Sequence, residues 1–527
     1  MAMKRIGLTG LLIPMAVFAG SPDMLINRQG LAQYDLSIRG SSYTGAGITL
    51  NGLNLRTPYS AHFNTDLPLP AYLLSDPVAQ TGLDNVSGHL IGTAAYTTVP
   101  QEPGGHVKTA IGTKEYYTAG ISSFSSGAGG FMEGEKARRI DYAANDLERH
   151  AGGALAQHFA GDWQLDLIGA HQRKEFGAQG YYGIPKDQVA EQKTEDSLIV
   201  FSALKGELED AFLRAAAGWR QFDDQYTGPS SHDVRSRYAA AVIEGRTIEI
   251  QHLLLNLRGD IEHEQVDGTY SADRTRGSIL ILPEARFEKF ILKAGLNTVM
   301  QTSESAEWLP LIGADWLVSD NSTLYASYSE SARQPDYQTL ADNPLLQMQQ
   351  VKQSELGLRQ FLSATLDWRA AAFHRQEGYA SDWIGGTLTD LGTLHVYGAE
   401  SALRFSPSEQ LHCSALYQWI HKDIDRTDGL YELDYPEQLL ALSIFWKPAD
   451  VFAVDFNQSL RYQSKNDTRT GNEFGPDASL GLHWFPRFTN NARLSFRVDN
   501  LWGSNFQAIP GQKPRSRSVS AGVTILW

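Results

Sequence analysis

The chain closes on SVSAGVTILW, residues 518 to 527, in which Val519, Ala521, Val523, Ile525 and Trp527 alternate with Ser518, Ser520, Gly522 and Thr524. Successive strand side chains point to opposite faces, so this stretch predicts a strand with one apolar face and one small, polar face. The pattern recurs from about residue 105 onward. WQLDLIGAH (163 to 171), SLIVFSALKG (197 to 206), TLDWRAAAFHR (365 to 375), LLALSIFWKP (439 to 448) and ARLSFRVDNLW (492 to 502) all alternate, separated by polar, Gly- or Pro-marked connections. Helical periodicity is almost absent. Strands of about 10 residues with alternating short turns and longer loops fit about 20 to 24 times into residues 105 to 527.

Charge inside the alternation decides between two all-β architectures. Asp166, Arg214, Asp367, Arg369, Asp455, Arg493 and Arg497 lie within these strands. In the dry core of a sandwich they would be costly, whereas facing a wet or protein-filled lumen they are cheap. Tryptophans 163, 219, 368, 419, 446, 484 and 502 cluster near strand ends, where an interfacial girdle would place them. The expectation is a large transmembrane antiparallel β-barrel over residues 104 to 527.

Bulk properties narrow the function. A net charge of −15 and the lack of any Lys/Arg-rich block argue against nucleic acid as a partner. Mean hydropathy is −0.31, and after residue 20 no run approaches the ~18 apolar residues of a spanning helix. A barrel escapes that test, because lipid-facing and lumen-facing residues average out. The single cysteine, Cys413, excludes an intramolecular disulfide. Residues 1 to 20, MAMKRIGLTGLLIPMAVFAG, carry a basic start, an apolar stretch and small residues before a cut, which reads as a secretory signal peptide.

Residues 21 to 103 differ, with more Gly, Pro, Asn and Leu and fewer long alternations. DLSIRG (35 to 40) reads as a strand that stops at Gly40, and GITLNGLNL (47 to 55) as two strands around an Asn51-Gly52 hairpin turn. Elsewhere, chemistry-bearing motifs fail on spacing. The histidines form no HExxH, and SALK (202 to 205) lacks the companion motifs of an SxxK nucleophile. No catalytic set, metal site or cofactor is expected.

Several segments together resemble the TonB-dependent outer-membrane receptors, in which a small plug fills a 22-stranded barrel. They are DLSIRGSS (35 to 42), ITLNGLNL (48 to 55), HFNTDLPLP (62 to 70), SGHLIGTAAYTTVP (87 to 100), LYASYSESARQPDYQTL (324 to 340), VYGAESALRF (396 to 405) and RVDNLWGSNFQAIPG (497 to 511). The resemblance implies the outer membrane of a Gram-negative-type bacterium and uptake of a scarce large solute, such as a siderophore or cobalamin. Its implied partners are membrane lipid, the barrel-insertion machinery and the TonB energy-transducing complex. It also implies a structural or gating role for Arg39, with Gly40, Asn51 and Gly52 meeting turn geometry. Trp527 becomes the closing aromatic read as an insertion signal. Two departures bear on coupling. Only residues 21 to 34 precede DLSIRG, with no TonB box among them, so an N-terminally truncated, partial plug is expected. SDPVAQTG (75 to 82) stands where an acidic, Arg-bearing strand is usual, and Pro77 disfavours a central ladder strand there. A passive, porin-like channel or a transport-defective receptor is the alternative.

Overall fold

The computed structural model describes residues 24–140, 144–183, 187–208, 211–489 and 491–527. The signal-peptide reading of residues 1 to 20 lies outside them. Six short strands precede the barrel. β1 (Leu25–Gln29) and β2 (Gln33–Ser37) form a hairpin, while β3 (Ala46–Leu50), β4 (Leu53–Leu55), β5 (Val78–Thr81) and β6 (Gly92–Tyr96) form one sheet in the order β4-β3-β6-β5. β3 and β6 run parallel, and the other pairs are antiparallel.

Local chemistry explains the sheet. Asn51 and Gly52 both take positive φ, 51° and 81°, as a tight hairpin turn between β3 and β4 demands. DLSIRG behaves differently from the expectation: its ladder ends at Ser37, because Arg39 and Gly40 turn the chain with φ of 51° and 71°. Upstream, β1 supplies the partner strand that β2 needs. Pro77 lies just before β5, which is an edge strand, so its missing N–H interrupts no central ladder.

From Gly104 to Leu526 the chain forms a closed barrel of 22 antiparallel strands. Ser518–Leu526 pairs with Gly104–Gly112, and Trp527 adds reciprocal backbone hydrogen bonds of 3.1 Å with Gly105. The alternation read from the terminus holds. Ile525 and Trp527 are outside and half exposed, while Thr524 is 1% exposed and faces in. Trp308 and Trp419 mark one end of the outer wall, and Trp316, Trp446 and Trp484 mark the other.

Turns such as 161–162, 320–321 and 450–451 are short at the end holding Trp527. The opposite end carries the longer connections 178–190, 334–348, 423–435, 464–473 and 500–517. This asymmetry makes the Trp527 end periplasmic and the long-loop end exterior. Residues 223 to 236 are mostly strand: Ala211–Thr227 and His232–Arg246 leave a connection of 228–231. Their alternation continues above the bilayer as outward ion pairs such as Arg235 with Asp223 at 2.9 Å. Among the described residues, the α-helical segment is Tyr337–Asp342 in an exterior loop, capped by Asp336.

Candidate functional site: the seat of the plug

The segment before Gly104 lies in the lumen, and an apolar cluster joins it to the wall. Ile48, Leu50, Leu53 and Leu55 pack in one core with Leu155, Ile168, Leu198 and Val200 of the barrel. Gly218 permits this approach, since a Cβ there would stand 2.7 Å from Leu53 Cδ2.

Around that contact the seat is ionic. Arg39 is the best-connected residue of the sequence-derived set. Its Nη1 donates to Glu355 Oε2 at 2.6 Å, while Nε and Nη2 grip Glu400 at 3.1 and 2.6 Å. Phe373 lies under the guanidinium at 4.6 Å, and the Arg39 carbonyl accepts from both Nη atoms of Arg375 at 3.3 Å. Burial alone would lower this guanidinium, but Glu400 and Glu355 outweigh it and raise Arg39 above its ordinary value. Gly40 keeps the next step clear, since a Cβ there would lie 2.8 Å from Ile420 Cδ1.

Asn51 and Gly52 do more than turn the chain. Asn51 Nδ2 donates to Ser202 Oγ at 2.8 Å, and the Gly52 carbonyl accepts from Arg258 Nη2 at 3.0 Å. Ser202 is therefore a wall acceptor for the plug. Lys205 lies three strand residues away, on the opposite, exposed face, so SALK assembles no nucleophile.

Sequence reasoning missed most of the remaining grips. Arg56 Nη1 donates to Glu264 Oε1 at 3.0 Å, and Asn54 Nδ2 to Glu262 Oε1 at 2.6 Å. Arg333 binds Glu262 at 2.7 Å and the Gly88 carbonyl at 3.0 Å. Burial, and then Arg333, lower Arg56 to about 10. His89 sits in the same cluster, and burial followed by Arg333 and Arg56 drives its pKa well below the ordinary 6.5. Asp66 meets Lys174, which outweighs burial and holds the carboxyl below its usual range. Exterior loops close the top: Glu432 accepts from Ser42 N at 3.2 Å, and Asp336 from Ala61 N at 2.9 Å. A readable signal existed in the pairs Glu262/Glu264 and Arg274/Arg276, where spacing of two puts like charges on one lumen face.

A closed membrane barrel whose lumen is occupied by an ion-paired globular segment defines the plugged outer-membrane receptors. The chain belongs to the TonB-dependent receptor-like β-barrel family, whose model matches residues 111–524. It is an outer-membrane protein of the Gram-negative type. Among solved structures, it is similar to the FrpB iron transporter from Neisseria meningitidis (F3-3 variant), with 12% identity, TM-score 0.76, and 99% and 98% of the two chains covered. The copper transporter OprC gives 13% identity, TM-score 0.75, and 96% and 95% coverage. BauA, the ferric preacinetobactin receptor from Acinetobacter baumannii, gives 14% identity, TM-score 0.72, and 97% and 92% coverage. No curated protein matches the chain in sequence.

Proposed function

We propose that this protein is a gated receptor that takes up a scarce large solute across the outer membrane, its plug moving only when inner-membrane energy is delivered through TonB. The observation that carries this reading is the seat itself. Arg39, Asn51, Arg56 and Asp66 tie the plug to widely separated sectors of the wall through Glu355 and Glu400, Ser202, Glu264 and Lys174. A buried charge left without its partner costs about 3 to 5 kcal/mol. Thermal fluctuation alone opens such a seat rarely, so transport calls for work on the plug. A ligand that binds the released state better than the seated one would bias the change.

Iron, copper and ferric preacinetobactin are the cargoes named for the structural neighbours FrpB, OprC and BauA. These support a scarce metal, free or chelated, as the first cargo to test. The experiment is uptake of labelled ferric siderophores, copper chelates and cobalamin by cells expressing the chain, with and without an intact TonB complex. Uptake that needs TonB is expected. Equal uptake in both backgrounds would make the protein a passive channel.

A further inference from the structure

On the outer wall of the barrel, near its exterior end, two histidines of neighbouring strands meet. His374 lies on Leu366–Ile384 between Phe373 and Arg375, and His395 lies on Thr387–Ser408 between Leu394 and Val396. All four flanking residues are buried on the lumen side, so strand alternation turns both imidazoles outward. His374 stands opposite Tyr397, two residues above the Ala399–Trp419 pair at which the exterior aromatic girdle runs. The two rings therefore sit at the boundary between lipid and water.

Their mutual geometry is specific. His374 Nε2 and His395 Nδ1 are 3.2 Å apart, and the ring planes are 10° from parallel with centroids 5.4 Å apart. The centroid separation is close to the nitrogen separation plus the two ring radii, so the two nitrogens face each other edge to edge. Between neutral imidazoles one nitrogen donates and the other accepts. Moving the donor's proton to its other ring nitrogen turns both facing atoms into lone pairs. Metal–imidazole bonds of about 2.0–2.1 Å set two nitrogens of a tetrahedral site about 3.3 to 3.4 Å apart. The pair needs only a small opening to take one ion between its nitrogens.

The backbone beneath the pair is set by the strand ladder, not by a loop. Gln376 stands opposite His395 in that ladder. On the other side, Asp423 donates its backbone N–H to the His395 carbonyl at 2.8 Å, which brings an exposed carboxylate residue to the same level of the wall. Among the described residues, no group of three His, Cys, Asp or Glu is assembled around a metal position. The histidines thus form a two-point clamp, with water to complete the coordination sphere.

We propose that His374 and His395 chelate a divalent transition-metal ion, copper or zinc, on the lipid-side rim of the barrel. Imidazole nitrogen suits these ions, whereas magnesium and calcium take oxygen ligands and should pass the site by. Copper should bind more tightly than zinc, following the general order for nitrogen donors. The rings point away from the lumen, so the ion lies outside the path of any cargo and its binding does not depend on transport. It ties Leu366–Ile384 to Thr387–Ser408 across one seam of the wall.

The test is isothermal titration of the chelator-treated, detergent-solubilised full-length protein with copper(II), zinc and magnesium chlorides, paired with electron paramagnetic resonance of the copper form. Saturable binding of copper and zinc but not magnesium is expected, weakened about tenfold or more in His374→Gln and in His395→Gln. The copper spectrum should show coupling to two imidazole nitrogens, reduced to one in either variant. His263→Gln, which removes a single outward histidine on Leu253–Gly268, should change neither readout. Both histidines lie outside the plug seat, and normal heat-modifiability on gels shows that each variant is folded. No saturable copper or zinc binding, or binding and spectrum unaltered in both His374→Gln and His395→Gln, overturns the site.

Discussion

Arg39 and His89 make opposite use of burial. Arg39 is held charged by two carboxylates, and removing it takes from Glu355 and Glu400 the cation that the plug supplies. Arg39→Ala should loosen the plug by about 3 to 5 kcal/mol while the barrel, closed by its own backbone ladder, survives. The readout is raised permeability to large antibiotics with normal heat-modifiability on gels; unchanged permeability in an inserted variant would remove Arg39 from the seat. His89 is held neutral. It is 3% exposed, it packs against Gly47 and, among the described residues, its Nε2 has no hydrogen-bond partner. A released plug protonates this imidazole near the ordinary 6.5, whereas the seated one resists protonation. Seating is therefore complete above that value and weakens as pH falls through it, by up to about tenfold per pH unit for one proton. Limited proteolysis of the plug between pH 8 and 5 reads this, and His89→Gln should flatten the profile. An identical profile in that variant would contradict the assignment.

At the scale of elements, the closing strand carries a separate prediction. Trp527 joins the first barrel strand through Gly105 and presents a half-exposed indole at the periplasmic rim. Trp527→Ser should lower outer-membrane insertion without affecting synthesis, because an interfacial aromatic is lost from the lipid-facing register. Equal surface yield would refute an insertion role. The strands were legible wherever one face met lipid and the other a polar lumen, since that contrast imposes period two on the sequence. β1 and the strand continuations at 223–227 and 232–236 were not legible for the same reason. They stand in the lumen or above the bilayer, where no lipid enforces an apolar face. The Asn51-Gly52 turn was readable because positive φ restricts residue choice at two adjacent positions.

For the whole molecule, the sequence marked Arg39 but not its partners, because Glu355 and Glu400 lie 316 and 361 residues away along the chain. Local pattern reports which face a residue takes, whereas pairing across a lumen depends on strand register around the full barrel. Registers accumulate over 22 strands, and no single segment encodes them. The same closure makes the wall independent of its contents. A chain lacking residues 24 to 103 keeps every barrel pair and should still insert, so the plug's contribution can be isolated. The most direct measurement is single-channel conductance in planar bilayers of the full chain and of that deletion. A quiet full-length protein and a steady, large conductance from the deletion variant are expected. A full-length protein that conducts as the deletion does would contradict the claim that the plug seals the barrel.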